Sequence, residues 1–374
     1  MRCFKVGDTT PEFGLLFSNS SVFKNLSSNR ALSMDENLDS EFSSVMEFIS
    51  YAMICVALCG ILGNILVIIT YAKIGLSESI NISYCALGVS DLLVVLSIAW
   101  GAVCYVPAFI ESDVPFLPRQ VVIITGDACI EMFGSCTAWL TAFISLERCL
   151  CVLLPLKFKD IITWRRSILI ILTIFTLTIA SFLGVYLNLY SFETTFAIER
   201  NETVLGFEFQ NSTDADLLYD FSLAFSAVVM NLLPVTFIFV CSTTLVVNMR
   251  RKATWRLSAT SQATGQNGAG GSDNRARRNY MADMRVSKTV LAICAASCVL
   301  GSLFALRSLL AVTVSGFLPT EVYGPEYRMS SRLLFLLSGV NSSFNVAIYY
   351  KTGSTFRATT RRLFRLKDTE NARQ

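Results

Sequence analysis

The sequence predicts an all-α membrane protein, a bundle of seven transmembrane helices. Its 374 residues are 53% hydrophobic and only 16% charged, against roughly 25% charged in soluble chains, and mean hydropathy is +0.54. Seven apolar segments each reach about 18 residues or more, enough to cross a hydrocarbon core of about 30 Å as a helix. The Lys and Arg residues cluster in alternate connections.

The tail over 1–47 is rich in Ser, Asn and acids and reads as flexible. It has no apolar run of signal-peptide length, so no cleaved signal is expected. The membrane domain covers 48–350. Helix one is expected over 48–72, without charge, and helix two over 80–110, with Asp91 alone. Helix three is expected over 121–149 and carries Asp127 and Glu131 among apolar residues. Helices four and five are expected over 165–192 and 221–249, with uncharged apolar parts. Helix six, 286–314, holds Arg307, and helix seven, 333–350, holds no charge. A connection over 250–285 contains the Gly/Ser-rich run Ser258–Ser272, a flexible linker by composition. It is bracketed by basic residues suited to anionic headgroups or to a cytoplasmic partner. Residues 351–374 form a basic tail.

The inner connections and C-terminal tail carry 22 of the 31 Lys and Arg, the outer segments 8, and Arg307 lies inside a helix. The positive-inside rule then puts the C-terminus in the cytoplasm and the N-terminus outside. Glycosylation sequons at Asn19, Asn25, Asn201 and Asn211 all fall in segments assigned outside. The outer loop Ser191–Asp220 carries seven acids and one base, a solvated face or an attractor of cations. Of 12 cysteines only Cys3 lies clearly outside, so this is no disulfide framework. Histidine is absent, which removes His-based metal sites, general bases and pH switches.

Depth along a helix, at about 1.5 Å per residue, groups the intramembrane polar residues. Asn64, Asp91, Asn341 and Asn345 lie about 13, 15, 15 and 9 Å from the inner face. Alone in hydrocarbon each would be costly, so they are expected to face one another and trapped water. That network either locks packing or rearranges. Higher up, Arg307, Glu131 and Asp127 lie about 28, 26 and 31 Å from the inner face. Ionisable groups at that depth mark a structural bridge or a ligand pocket. At the inner end of helix three, Glu147-Arg148-Cys149 is followed by Pro155.

These features together resemble the rhodopsin-like G-protein-coupled receptors over roughly residues 48–364. Gly63-Asn64 resembles the family's helix-one motif, Leu87-Gly-Val-Ser-Asp91-Leu-Leu its helix-two motif, and Asn345-x-x-x-Tyr349 its helix-seven motif. Phe356 fits the short amphipathic eighth helix, with Arg357, Arg361, Arg362 and Arg365 along the membrane surface. The resemblance implies that Arg148 is a switch paired with Glu147 at rest and released toward a heterotrimeric G protein, with Pro155 in the contacting loop. It implies a polar core at Asn64, Asp91, Asn341 and Asn345, with Asp91 a candidate sodium site. It places the ligand near Asp127, Glu131, Phe304 and Arg307. Arrestin and receptor kinases would be further partners, with Thr352, Ser354, Thr355, Thr359 and Thr360 as candidate phosphorylation sites. The stretch Ser145-Leu-Glu-Arg-Cys-Leu-Cys-Val-Leu-Leu-Pro-Leu-Lys, with Ala86-Leu-Gly-Val-Ser-Asp, is similar to invertebrate receptors of the molluscan chemosensory and peptide-receptor-like groups.

Several family features are missing. The second outer loop has no cysteine, and whether Cys104 bonds Cys129 is left open. Helix four lacks its usual tryptophan. Helix six reads Leu303-Phe304-Ala305-Leu306 where a Cys-Trp-x-Pro pattern is usual, and Phe304 would stand in for its aromatic. Pro234 is retained in helix five, while Ser242 replaces a tyrosine. The expected function is a plasma-membrane receptor for a chemosensory cue, peptide, amine or amino acid. A transporter or channel is the main alternative, disfavoured by few intramembrane charges and no paired broken helices. A receptor-like protein that no longer signals is another. An opsin is set aside, because Leu333–Tyr350 has no lysine. No enzyme, metal, nucleic-acid or cofactor role beyond the sodium site is expected.

Overall fold

A computed structural model describes residues 20–155, 157–197, 202–209, 213–263, 272–317 and 322–371. Two compact units divide the chain, Met1–Phe48 and Ile49–Gln374. The first contains the start of the long helix α1 (Ser20–Ile74), and the second contains the bundle. Among the described residues seven helices are long and apolar enough to cross a membrane, so the chain is a multi-pass membrane protein. "Inner" and "outer" below follow the Lys/Arg asymmetry.

Helix α1 crosses over Ser44–Ile74 and stops at Gly75, whose φ of 111° is open to glycine and strained for other residues. Its N–H closes the last turn on the Tyr71 carbonyl. Helix α2 (Ser79–Val103) ends earlier than the apolar pattern predicts. Pro107 explains this: it biases Val106 to an extended ψ of 128° and restarts only a short turn, Pro107–Ile110. Helix α3 (Pro118–Leu153) opens at Pro118, widens into a π segment over Ile123–Asp127, and continues as Ala128–Leu153. Its most apolar 18-residue stretch is 61% buried, against 17% for the corresponding stretches of α4 (Trp164–Leu189) and of α5, which crosses over Leu217–Arg251. So α3 is the central post and α4 and α5 face lipid. Helix α5 contains a second π segment, Ser226–Leu232, just before Pro234. Proline lacks the N–H and crowds the carbonyl one turn back, and a widened turn accommodates it.

Helix α6 (Ser272–Thr313) runs without interruption, and α7 (Gly324–Thr352) begins nine residues before the expected start. Pro325 at its first turn sets φ for entry, and charged Glu326, Arg328 and Arg332 hid this part from a hydropathy reading. Helix α8 (Ser354–Asn371) follows a break at Gly353, where a Cβ would meet the Tyr349 carbonyl at 2.8 Å. Its Phe356 is buried against Tyr71 and Tyr349, with ring centroids 5.3 and 5.7 Å away.

The second outer loop adds one element that the apolar pattern hid, an antiparallel hairpin of β1 (Tyr190–Ala197) and β2 (Glu202–Phe209). Its Leu205 exchanges backbone bonds with the chain entering α3. The Leu117 N–H reaches its carbonyl at 3.0 Å and its own N–H reaches the Pro115 carbonyl at 3.0 Å. This tethers the loop to α3 without a disulfide.

Two apolar clusters fill the bundle. The inner one holds Tyr71, Tyr84, Leu87, Leu140, Phe143 and Tyr349. The outer one holds Met53, Val94, Ile98, Ile130 and Phe335. Asp91 sits between them in sequence and in depth. Outward-facing Leu62, Leu169, Leu177, Phe239 and Val299 are exposed, as lipid contact requires.

Candidate functional site

Among the described residues, the outer half of the bundle holds two ion pairs on α3. Asp127 and Glu131 are one helical turn apart and share a face. Arg307 Nη2 reaches Glu131 Oε1 at 2.5 Å, and its Nη1 donates to Ser331 Oγ at 2.9 Å. Its guanidinium lies 5.3 Å from the Tyr327 ring and 5.7 Å from the Phe304 ring. Arg332 Nη2 reaches Asp127 Oδ2 at 2.9 Å and stacks 3.7 Å over Tyr105. Both arginines are nearly fully buried, at 6% and 4% exposure, while Glu131 is 20% and Asp127 24% exposed. Asp127 Oδ1, Arg307 Nε and Arg332 Nη1 are buried with no hydrogen-bond partner among the described residues. Close helix approach makes room for the charges: a Cβ on Gly126 would meet the Gly101 Cα at 3.3 Å.

A narrow cavity of about 50 Å³ runs inward from the Glu131–Arg307 pair. Phe304, Asn341 and Ser342 line it, with Ser226 and Asn231 from the α5 π segment. A space this size admits a few waters. Thr137 and Ser342 also line its inner end, and both donate to Asp91, at 3.2 and 3.0 Å. Asn345 Nδ2 donates to the other Asp91 oxygen at 2.7 Å. Asn64 donates to the Gly60 and Ser342 carbonyls at 3.0 and 3.2 Å. One cavity thus joins the outer ion pair to the buried polar layer.

At the inner end, Glu147 is fully buried and accepts from the hydroxyls of Ser79 and Ser167, the latter at 3.3 Å. No direct ion pair between Glu147 and Arg148 forms among the described residues. Consecutive helical residues point about 100° apart, so neighbours in sequence do not face each other. Arg148 is half-buried, and its Nε is buried without a partner among the described residues. Pro155 is exposed in the turn after α3. Tyr349 packs between Tyr71 and Tyr84 at 5.4 and 5.0 Å. Thr289 donates to Thr352 at 2.5 Å, and Thr360 is buried against Thr70, so these two candidate phosphorylation sites are engaged in packing.

Of the polar-core residues, Asn345 bonds Asp91 directly, and Asn64 reaches the same layer through the Ser342 carbonyl. Asn341 faces the cavity, and its neighbour Ser342 takes the place beside Asp91. Of the pocket residues, Glu131, Phe304 and Arg307 line the cavity, while Asp127 pairs beside it with Arg332. Arg332 stands just before the apolar run that marks helix seven in the sequence. Yet it lies 19 residues before Lys351, just as Arg307 lies 19 after Lys288, and the same depth arithmetic would have found it. Cys104 and Cys129 are free thiols. Burial, and after it the nearby Asp127, push the Cys104 thiol up to about 12, so it stays protonated at neutral pH. The sequons at Asn19, Asn201 and Asn211 lie outside the described residues, and Asn25 lies where side chains are not described. So does most of the inner connection between α5 and α6.

The sequence model of the 7 transmembrane receptor (rhodopsin family) matches residues 63–349. Squid rhodopsin, known from a crystal structure, is similar in fold, with a TM-score of 0.63 over 87% of this chain and 86% of that one. Identity is 17%, so the likeness concerns the fold alone. A search by sequence among curated proteins finds no match.

Proposed function

The chain belongs to the rhodopsin family of seven-transmembrane receptors, and we propose that it binds an extracellular ligand at Glu131 and Arg307 and activates a heterotrimeric G protein. It acts from the plasma membrane, with the N-terminus outside and the C-terminus in the cytoplasm, and makes no covalent chemistry. The observation that carries this reading is the cavity shared by the ion pair and by the residues that hold Asp91. A ligand that separates Arg307 from Glu131 shifts α6 against α3, and Thr137, Ser342 and Asn345 relay that shift to the inner half. Such a ligand acts only through differential affinity for two pre-existing states. Arg148 and the loop at Pro155 would meet the G protein, with buried Tyr349 and Asn345 part of the switch behind them, and arrestin and receptor kinases would act on the same face.

The Asp91 layer fits a sodium ion by donor chemistry. One carboxylate and the rotatable hydroxyls of Thr137 and Ser342 form an all-oxygen set, suited to a hard cation. Replacing potassium with sodium is expected to raise the melting temperature of the purified protein, and Asp91→Asn to remove that difference. An equal response in Asp91→Asn rejects the site.

The receptor reading is tested in cells that express the full chain with a panel of Gα subunits, reading heterotrimer dissociation with and without pooled amines, amino acids and peptides. A response lost in Arg148→Ala supports it, and ligand-independent cation flux would favour a channel instead. The uninterrupted α6, with no proline after Phe304, supports a second reading in which the chain binds ligand without signalling. Ligand binding without heterotrimer dissociation across the whole panel selects that one.

A further inference from the structure

We infer that the ligand is a small zwitterion, an α-amino acid or a close relative, whose carboxylate takes Arg307 and whose ammonium takes Glu131. This rests on the receptor reading and narrows it to a ligand class.

The geometry of Arg307 points to the carboxylate. Nε and Nη2 lie on one edge of a guanidinium and can hold a carboxylate in bidentate fashion. Glu131 uses Nη2 through one oxygen, and Nε stays buried with no partner among the described residues. A ligand carboxylate on that edge therefore satisfies a donor that Glu131 leaves empty. Arg307 can accept the exchange in place, because Ser331 holds Nη1 and the Phe304 and Tyr327 rings flank the guanidinium. Glu131 is the more exposed partner, at 20% against 6%, and so the one better placed to turn toward a ligand ammonium.

Charge balance points to the ammonium. Asp127, Glu131, Arg307 and Arg332 form a neutral set of two acids and two bases. A lone carboxylate on Arg307 would strand Glu131 without a counter-charge in a low-dielectric site. A lone amine on Glu131 would strand Arg307 in the same way. A zwitterion keeps every charge matched. The free space of about 50 Å³, bordered by Gly134, Ser135, Ser297 and Gly301, limits the ligand to a small body.

The test is a melting-temperature titration of the purified full-length chain with each of the common α-amino acids. Each is compared with the matched amine lacking the carboxylate and the matched acid lacking the amine. The expected result is that at least one amino acid raises the melting temperature, with half-maximal concentration at least 10-fold lower than for either truncated analogue. The double variant Glu131→Gln with Arg307→Gln keeps a neutral contact of similar size and is expected to melt without responding to that amino acid. An analogue with one charge that matches the amino acid, an unchanged response in the double variant, or no response to any amino acid overturns the inference. Nucleotide exchange on Gα, measured beside it, separates the two readings. Binding without exchange rejects the signalling role and leaves the ligand class standing.

Discussion

Arg307 and Arg332 sit at like depth on neighbouring helices, each facing an acid of α3, but only the first borders the cavity. Arg332 is enclosed by Tyr105, Phe335 and Asp127, the setting of a structural bridge. Removing one partner of a buried pair strands the other, so Arg332→Ala is expected to destabilise by about 3–5 kcal/mol. The double neutral variant Asp127→Asn with Arg332→Gln should lose far less, because no charge is left alone. Thermal unfolding of the purified variants measures both, and equal losses would reject the pair as the source. At this scale the sequence was legible where a charge interrupts an apolar run, as at Glu131 and Arg307. It was not legible where a charge stands at the run's edge, as at Arg332. Nor does spacing say which of two adjacent residues, Asn341 or Ser342, turns toward Asp91, since that depends on helix rotation.

The elements around the site are bent out of regular form where function would use them. Both π segments border it: Ile123–Asp127 ends on the acid that holds Arg332, and Ser226–Leu232 supplies Ser226 and Asn231 to the cavity. A π turn re-aims the side chains that follow, and such turns gather at functional sites. Gly126 allows α2 and α3 to touch, since an added Cβ would meet Val122 Cγ2 at 2.7 Å and the Gly101 Cα at 3.3 Å. Gly126→Ala is therefore expected to destabilise by about 1–3 kcal/mol. Gly134→Ala, with nothing within 4 Å of the new Cβ, should stabilise α3 by about 0.5–1 kcal/mol. Opposite signs in thermal unfolding confirm the packing, and like signs contradict it. The hairpin gives a further expectation. Leu205→Pro removes the N–H donated to Pro115 and should speed amide hydrogen exchange across 202–209, whereas unchanged protection would mean that the tether carries no stability. Hydropathy could not show this hairpin, because alternating Thr, Phe and Glu in a loop resembles any polar connection.

The whole molecule reads as two apolar clusters separated by a polar layer, with ion pairs above and an aromatic box at Tyr71, Tyr84, Tyr349 and Phe356 below. The seven spans, the layer at Asp91 and the family were legible, because lipid forces long apolar helices and makes every internal polar residue conspicuous. The contacts of Glu147 were not. Its partners Ser79 and Ser167 begin other helices, and small hydroxyl residues at helix starts carry no pattern of their own. Glu147 is held by hydroxyls of α2 and α4, and half-buried Arg148 stands at the inner face with no direct ion pair among the described residues. The most direct measurement is nucleotide exchange on a responsive Gα subunit by purified wild type and Arg148→Ala at matched receptor concentration. At least a 10-fold slower exchange in Arg148→Ala, with an unchanged melting temperature, is the expected result. Equal exchange in the two proteins would contradict the role of this arginine as the output of the receptor.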